Sequence, residues 1–170
     1  MTPGHKRWVA IFAIALGLVI AGFAIFSRKS DEELIREKLE RLAHAVRVEA
    51  PDENPVFRAK RLKDEFDELF SPRVKVTIPE LSGFASSRED LVALGTRAGS
   101  TYRHAEVDLT KVDITLDSAK KNAKAEVTAR LDADRGNGLE RDERQVSFAL
   151  SKNDDGWWID SVAVSPKISE

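Results

Sequence analysis

The sequence contains no cysteine, and only three histidines, one tyrosine and one methionine occur among its 170 residues. Without thiols there can be no disulfide, cysteine nucleophile, thiolate metal site or lipid-modified N-terminal cysteine. His5, His44 and His104 are too scattered to suggest a metal cluster, and no cofactor is expected. Also missing are a glycine-rich phosphate loop, the G-x-S-x-G turn that presents a nucleophilic serine, and the H-E-x-x-H zinc pair. A basic excess is absent too. Once Lys6, Arg7, Arg28 and Lys29 are set aside, 29 acidic residues face 23 basic ones. That balance argues against nucleic acid as a partner, because phosphate binding needs clustered Lys and Arg.

What the chain does contain begins with a long apolar run. Trp8 to Phe26 holds only Trp, Val, Ala, Ile, Phe, Leu and Gly. As a helix it would span about 28 Å, close to the hydrocarbon thickness of a bilayer. Secretory signals have shorter apolar centres, so a retained anchor is expected rather than a cleaved leader. Lys6 and Arg7 before the run favour a cytoplasmic N-terminus. The expected location is therefore the bacterial inner membrane, single-pass, with the C-terminal part outside the cytoplasm. Residues 1–29 form this segment and residues 30–170 one domain, whose mix of 42% hydrophobic and 33% charged residues in the whole chain is globular.

Ser30-Asp31-Glu32-Glu33 has the form of a capping box, and Ile35, Leu39, Leu42 and Val46 then mark one face of a helix. Asn54-Pro55 opens a second helix with its stripe at Ala59, Leu62, Phe66, Leu69 and Phe70. Arg73 to Ile78 alternates as a short strand, and Ser86-Ser87 caps a third helix carrying Leu91, Leu94, Ala98 and Tyr102. Four long strands follow. In the first, Val107 and Leu109 have one parity and Val112, Ile114 and Leu116 the other, which predicts a bulge near Thr110 or Lys111. Asn137-Gly138 and Asp155-Gly156 mark turns, so an antiparallel meander is expected.

Element order, Val76-Thr77-Ile78-Pro79 with Gly83 and Ser87-Arg88-Glu89-Asp90-Leu91, and the closing Gly156-Trp157-Trp158-Ile159-Asp160-Ser161-Val162 together resemble the nuclear transport factor 2-like (SnoaL-like) superfamily. The resemblance covers about residues 30–164 and rests on weak motifs. It implies an α+β, cystatin-like cone of three helices on a bent antiparallel sheet, here behind a transmembrane helix. The superfamily includes isomerases, dehydratases and hydrolases as well as membrane-tethered assembly modules, so it leaves function open.

Catalytic members need acids, histidines or tyrosines inside the cone. The inward series from Ala123 to Ala133 and Val146, Phe148 and Leu150 reads as packing, with Phe66, Phe70, Tyr102, Phe148 and Trp158 expected to line the core or a pocket. Glu140 to Arg144 reads as a solvated hairpin tip. Tyr102 could supply a pocket hydroxyl and His104 a general base, although a tyrosine on an apolar stripe is more often a rim residue and a histidine at a helix-to-strand corner is more often exposed or capping. By parity with Val162 and Val164, Trp158 is expected inward and Trp157 outward, where it would mark a homodimer contact through the sheet face. The expected function is therefore a binding or assembly module without catalysis, meeting membrane-protein partners. The alternative is a membrane-tethered isomerase, dehydratase or hydrolase. A cone plugged by Leu, Phe and Trp favours the first, and a hollow one holding an acid or histidine favours the second.

Overall fold

A computed structural model describes residues 29–49, 53–79 and 87–166. The chain divides into two units, Met1–Ser30 and Asp31–Glu170, and the second is described here. Among the described residues no helix is long and apolar enough to cross a membrane. The expected anchor at 8–26 lies outside them, as does Gly83 of the motif that precedes the third helix.

Helix α1 (Asp31–Val46) opens with Asp31, Glu32 and Glu33, whose charges complement the positive end of the helix dipole. Ile35 and Leu39 on its apolar stripe are fully buried. Helix α2 (Pro55–Leu69) starts at Asn54, whose Oδ1 accepts the Val56 N–H at 2.9 Å, and buries Leu62, Phe66 and Leu69. Strand β1 (Phe70–Thr77) follows without a loop. Phe70 thus begins a strand instead of ending the helical stripe, because Pro72 bars helix and pushes Ser71 toward extended backbone. Helix α3 (Arg88–Thr101) is capped by Ser87, whose Oγ accepts the Asp90 N–H at 3.2 Å. None of its side chains is fully buried.

Strands β2 (His104–Leu116), β3 (Asn122–Asp134), β4 (Leu139–Asn153) and β5 (Gly156–Val164) form the meander, and the five-stranded sheet has the order β1-β5-β4-β3-β2. The sheet is mixed, which corrects the antiparallel expectation: β1 runs parallel to β5. No hairpin links these two strands, so short-loop geometry does not fix their direction. The predicted bulge in β2 is present, with the register shifting between Thr110 and Asp113 and Lys111 at φ +49°. It lets Leu109 and Ile114 face the same side despite their opposite parity, opposite Ala129 and Ala125.

A second bulge went unread in the sequence. Ser161 pairs with Ala149 and Ile159 with Leu150, leaving Asp160 as the extra residue. Every side chain before Asp160 therefore changes face relative to Val162 and Val164. This reverses the expectation for the tryptophans. Trp157 faces the core at 2% exposure and cannot be a sheet-face dimer contact, whereas Trp158 is half-buried beneath the Arg88 guanidinium, 5.2 Å from the ring centre. The strand residues facing away from the helices are largely charged and paired, as in Arg130 with Asp108 at 2.7 Å and Lys124 with Glu126 at 2.5 Å.

Trp157 Nε1 donates to Asp31 Oδ1 at 3.0 Å, and Lys152 Nζ donates to the same oxygen at 2.5 Å, so α1's first turn is pinned to the β4–β5 hairpin. The bond from Lys152, then that from Trp157, holds the Asp31 carboxyl below its ordinary range. A lowered carboxylate pKa contributes stability above the unfolded value and loses it as pH falls through the folded one. Asp31→Asn is expected to lower stability at pH 7 by about 1 kcal/mol and by much less at about pH 3, where the charge it removes is already partly neutralised. Urea unfolding at both pH values measures this, and equal losses at both would contradict it.

Where α2 meets α3, the helices approach through glycine. A Cβ on Gly95 would lie 2.9 Å from Leu62 Cδ1, and one on Gly99 would lie 2.5 Å from Arg58 Cδ and Nε. Arg58 itself is 1% exposed. Its Nε donates to Gly95 O at 2.9 Å, Nη2 to Val46 O at 3.2 Å, and Nη1 to Arg47 O at 3.2 Å and Glu53 Oε2 at 2.9 Å. One guanidinium thus holds the end of α1, the start of α2 and the middle of α3 in fixed relation. That relation sets the width of the space between the helices and the sheet.

Candidate active site

The apolar stripes of α1, α2 and α3 and the concave side of the sheet do not close on one another. Between them lies a cavity of about 480 Å³, within the range of small-molecule sites. Its aromatic walls are Phe66, Phe70 and Phe148, each at most 5% exposed, with Phe66 and Phe70 packed edge to face at 5.2 Å. Leu91, Leu94 and Gly95 of α3 supply another wall. Among the described residues, every one that lines it is hydrocarbon or glycine except Asp142 and Arg144.

These two come from β4 and follow from strand parity. Ala125 pairs with Phe148, Val127 with Val146, Ala129 with Arg144 and Leu131 with Asp142, so both charged side chains stand on the same face as the apolar ones. Arg144 Nε donates to Asp142 Oδ2 at 2.9 Å, Nη2 lies 2.9 Å from the same oxygen, and Nη1 donates to Ser165 O at 3.2 Å. Arg144 is 16% and Asp142 25% exposed at the side chain, so the pair sits at the rim of the cavity, partly shielded from water. A carboxylate at the edge of a hydrocarbon space can accept a proton, and a guanidinium beside it can donate a hydrogen bond to a ligand seated there.

The expectation that Glu140 to Arg144 is a solvated tip is corrected here for Asp142 and Arg144. The signal was available: continuing the period of two backward from Phe148 and Val146 reaches both. Charge interleaving masked it, because on a strand alternate residues face opposite ways and a mixed-sign run can still present one face inward.

The residues named from the sequence separate. Phe66, Phe70 and Phe148 line the cavity. Trp158 is not part of its lining. Tyr102 is the C-cap of α3, and its hydroxyl accepts from Arg135 Nη2 at 2.7 Å while the Arg135 guanidinium sits 4.8 Å from the ring centre. Its ring fastens the β3–β4 hairpin to α3, away from the cavity. His104 begins β2, 43% exposed, with Nε2 3.9 Å from Glu106 Oε2, and also lies off the cavity. Among the described residues no group of three acidic or histidine side chains is placed to hold a metal ion.

A second cleft of about 480 Å³ runs between α2 and α3 on their outer side. Its walls include Lys63, Asp67, Arg88, Glu89 and Arg97, and Asp67 is already engaged by Lys63 at 2.6 Å and by Arg88 at 3.3 Å. Its Lys63, Asp67 and Arg88 are spent on one another and it lacks the continuous hydrocarbon lining of the cone, so the cone cavity is the better site.

Three solved structures are similar to this chain in fold. The first, a nuclear transport factor 2 (NTF2-like) superfamily protein from Salmonella enterica, is 19% identical over 82% of this chain and 92% of its own, at a TM-score of 0.64. The second is a provisionally named aromatic ring hydroxylase from Novosphingobium aromaticivorans, 13% identical over 82% and 90%, at 0.65. A provisionally named dehydratase of the NTF2-like family from Streptomyces avermitilis is 16% identical over 82% and 97%, at 0.63. The fold is nuclear transport factor 2-like. No protein-family model and no curated protein matches the sequence.

The NTF2-like cone, here hollow, overturns the expected plugged module without catalysis. Two of the three neighbours carry enzyme names, and this cone has an acid on its wall.

Proposed function

We propose that this domain is a small-molecule enzyme of the isomerase, dehydratase or hydrolase kind, working in the cone cavity with Asp142 as proton acceptor and Arg144 as hydrogen-bond donor. The observation that carries the reading is the hydrocarbon cavity whose only ionisable wall groups, among the described residues, are this one paired carboxylate and guanidinium. The dehydratase name of one structural neighbour supports the same class. On a cyclic β-hydroxy ketone, Asp142 takes the proton from the carbon between the carbonyl and the hydroxyl-bearing carbon. Arg144 donates to the carbonyl oxygen as negative charge builds there. The hydroxyl then leaves with the proton held by Asp142, giving water and a conjugated enone. Aspartate is regenerated.

Asp142→Asn keeps size and shape but cannot accept the proton. Turnover of a bicyclic β-hydroxy ketone, followed by the near-ultraviolet absorbance of the enone, is expected to fall at least about 100-fold, with binding of the ketone product little changed. Unaltered turnover in the variant, or a fall in binding alone, would overturn the assignment.

The membrane tether belongs to the same proposal. Its support is the uninterrupted apolar run from Trp8 to Phe26 with basic residues on both sides. Reporter fusions after residues 30 and 170 test it, and reporter activity confined to the cytoplasm would exclude an extracytoplasmic domain.

A further inference from the structure

We infer that the cone takes its ligand end-on, so that its substrates are molecules with every polar group at one end and a bare hydrocarbon ring at the other. The inference rests on the cone being the ligand site, as proposed above, and goes further, to the substrate class and the residues that select it.

The lining is graded along the sheet. On β4 the inward series runs from Phe148 through Val146 and Arg144 to Asp142, about 20 Å of strand. Phe148 and Val146 are 5% and 7% exposed, whereas Leu131, which pairs with Asp142, is 36% exposed. Helix α1 repeats the gradient, from Leu39 at 1% to the half-buried Val46. The cavity therefore opens beside Leu131 and Asp142 and is closed at Phe148. Among the described residues, the side chains at the closed end are hydrocarbon: Leu39, Phe66, Phe70, Val76 and Phe148. Val76 and Phe148 stand in one row across the sheet, each paired with Val162. Behind them the peptide groups of β3 and β4 are spent on an unbroken ladder. A ligand hydroxyl carried to this end would lose its water and meet no side chain able to replace it. A methyl group in the same place loses nothing. At the open end a polar group keeps its contact with water, so a ligand polar at one end enters hydrocarbon first. The bicyclic β-hydroxy ketone of the proposed reaction has this form, with both oxygens at one end.

Matched ligands test the inference. The full-length chain, held in nanodiscs with empty nanodiscs as the blank, is titrated calorimetrically with 2-acetylnaphthalene and with its 6-methyl and 6-hydroxy derivatives. The two substituents are alike in size and sit at the ring position far from the ketone. The 6-methyl ketone is expected to bind at least about 30-fold more tightly than the 6-hydroxy ketone. Val76→Thr keeps the size of the side chain and places a hydroxyl in the row of Phe148, so it should narrow that ratio by about tenfold. Equal binding of the two derivatives by the unaltered chain would overturn the inference. An unchanged ratio in a Val76→Thr chain of unaltered near-ultraviolet circular dichroism would overturn it as well, because the leading end of the ligand would then lie elsewhere. If 2-acetylnaphthalene itself does not bind to a chain whose near-ultraviolet circular dichroism shows intact packing, the cavity is not a ligand site and the functional reading fails with it.

Discussion

Arg58→Met is expected to destabilise the folded domain by about 3–5 kcal/mol, a fall of roughly 10–20 °C in Tm. The guanidinium is buried and spends its donors on three backbone carbonyls, those of the adjacent Val46 and Arg47 and of Gly95, and on the Glu53 carboxylate. Methionine replaces the stem and none of the donors. Burial works to raise the Glu53 carboxyl, but bonds and charges from Arg58 and Arg61 outweigh it and hold it below its ordinary range. Losing Arg58 removes much of that compensation. Arg58→Lys keeps the charge but has one ammonium where the site uses a fork, so it should recover only part of the loss. Gly99→Ala attacks the same joint from the other side. Alanine gains about 1 kcal/mol of helix propensity, yet its methyl would sit 2.5 Å from the Arg58 side chain, so a net loss of about 1–3 kcal/mol is expected. Chemical denaturation measures all three variants, and a loss below about 1 kcal/mol for Arg58→Met would show that water replaces the guanidinium cheaply.

Ala129→Phe is expected to weaken binding of 2-acetylnaphthalene at least about 30-fold while leaving Tm within a few degrees of the unaltered chain, or above it. Ala129 lines the cavity and stands across the sheet from Arg144 and Leu109. A phenyl group there points into space that no side chain occupies, so it adds packing contacts instead of displacing neighbours. Loss of binding with stability retained separates this variant from Arg58→Met, which should lower both. If Ala129→Phe binds the ketone normally, the ligand sits elsewhere, and the outer cleft between α2 and α3 becomes the site to test.

Much of the fold was legible in the sequence because its signals are local. Asn54 and Ser87 cap helices where their side chains and positions said they would, and the parity change between Leu109 and Val112 marked the β2 bulge. The misreadings have two causes. Parity along β5 was carried through Asp160 as if the strand were regular, which inverted Trp157 and Trp158. The signal was there in Ile159, whose parity is opposite to that of Val162 and Val164, but two adjacent tryptophans fit either face and masked it. On β4 the reverse happened: parity held, but the charges of Asp142 and Arg144 were taken as a sign of solvent. Arg58 escaped notice for the same reason, because a charged residue beside a helical stripe is ordinarily outside and only its four acceptors, scattered from Val46 to Gly95, bring it in. The direction of β1 depends on a pairing almost 90 residues distant in sequence, which no local pattern encodes.

The central claim is that the cone cavity, with Asp142 and Arg144 on its wall, is the ligand site. The most direct measurement is a crystal structure of the protein with an iodinated, uncharged naphthyl ketone, located by the anomalous signal of the iodine. The account predicts one strong peak between α1, α3 and the concave face of the sheet, with the ketone oxygen within hydrogen-bond distance of Arg144. A peak in the outer α2–α3 cleft beside Arg88 and Arg97, with the cone empty, would contradict it.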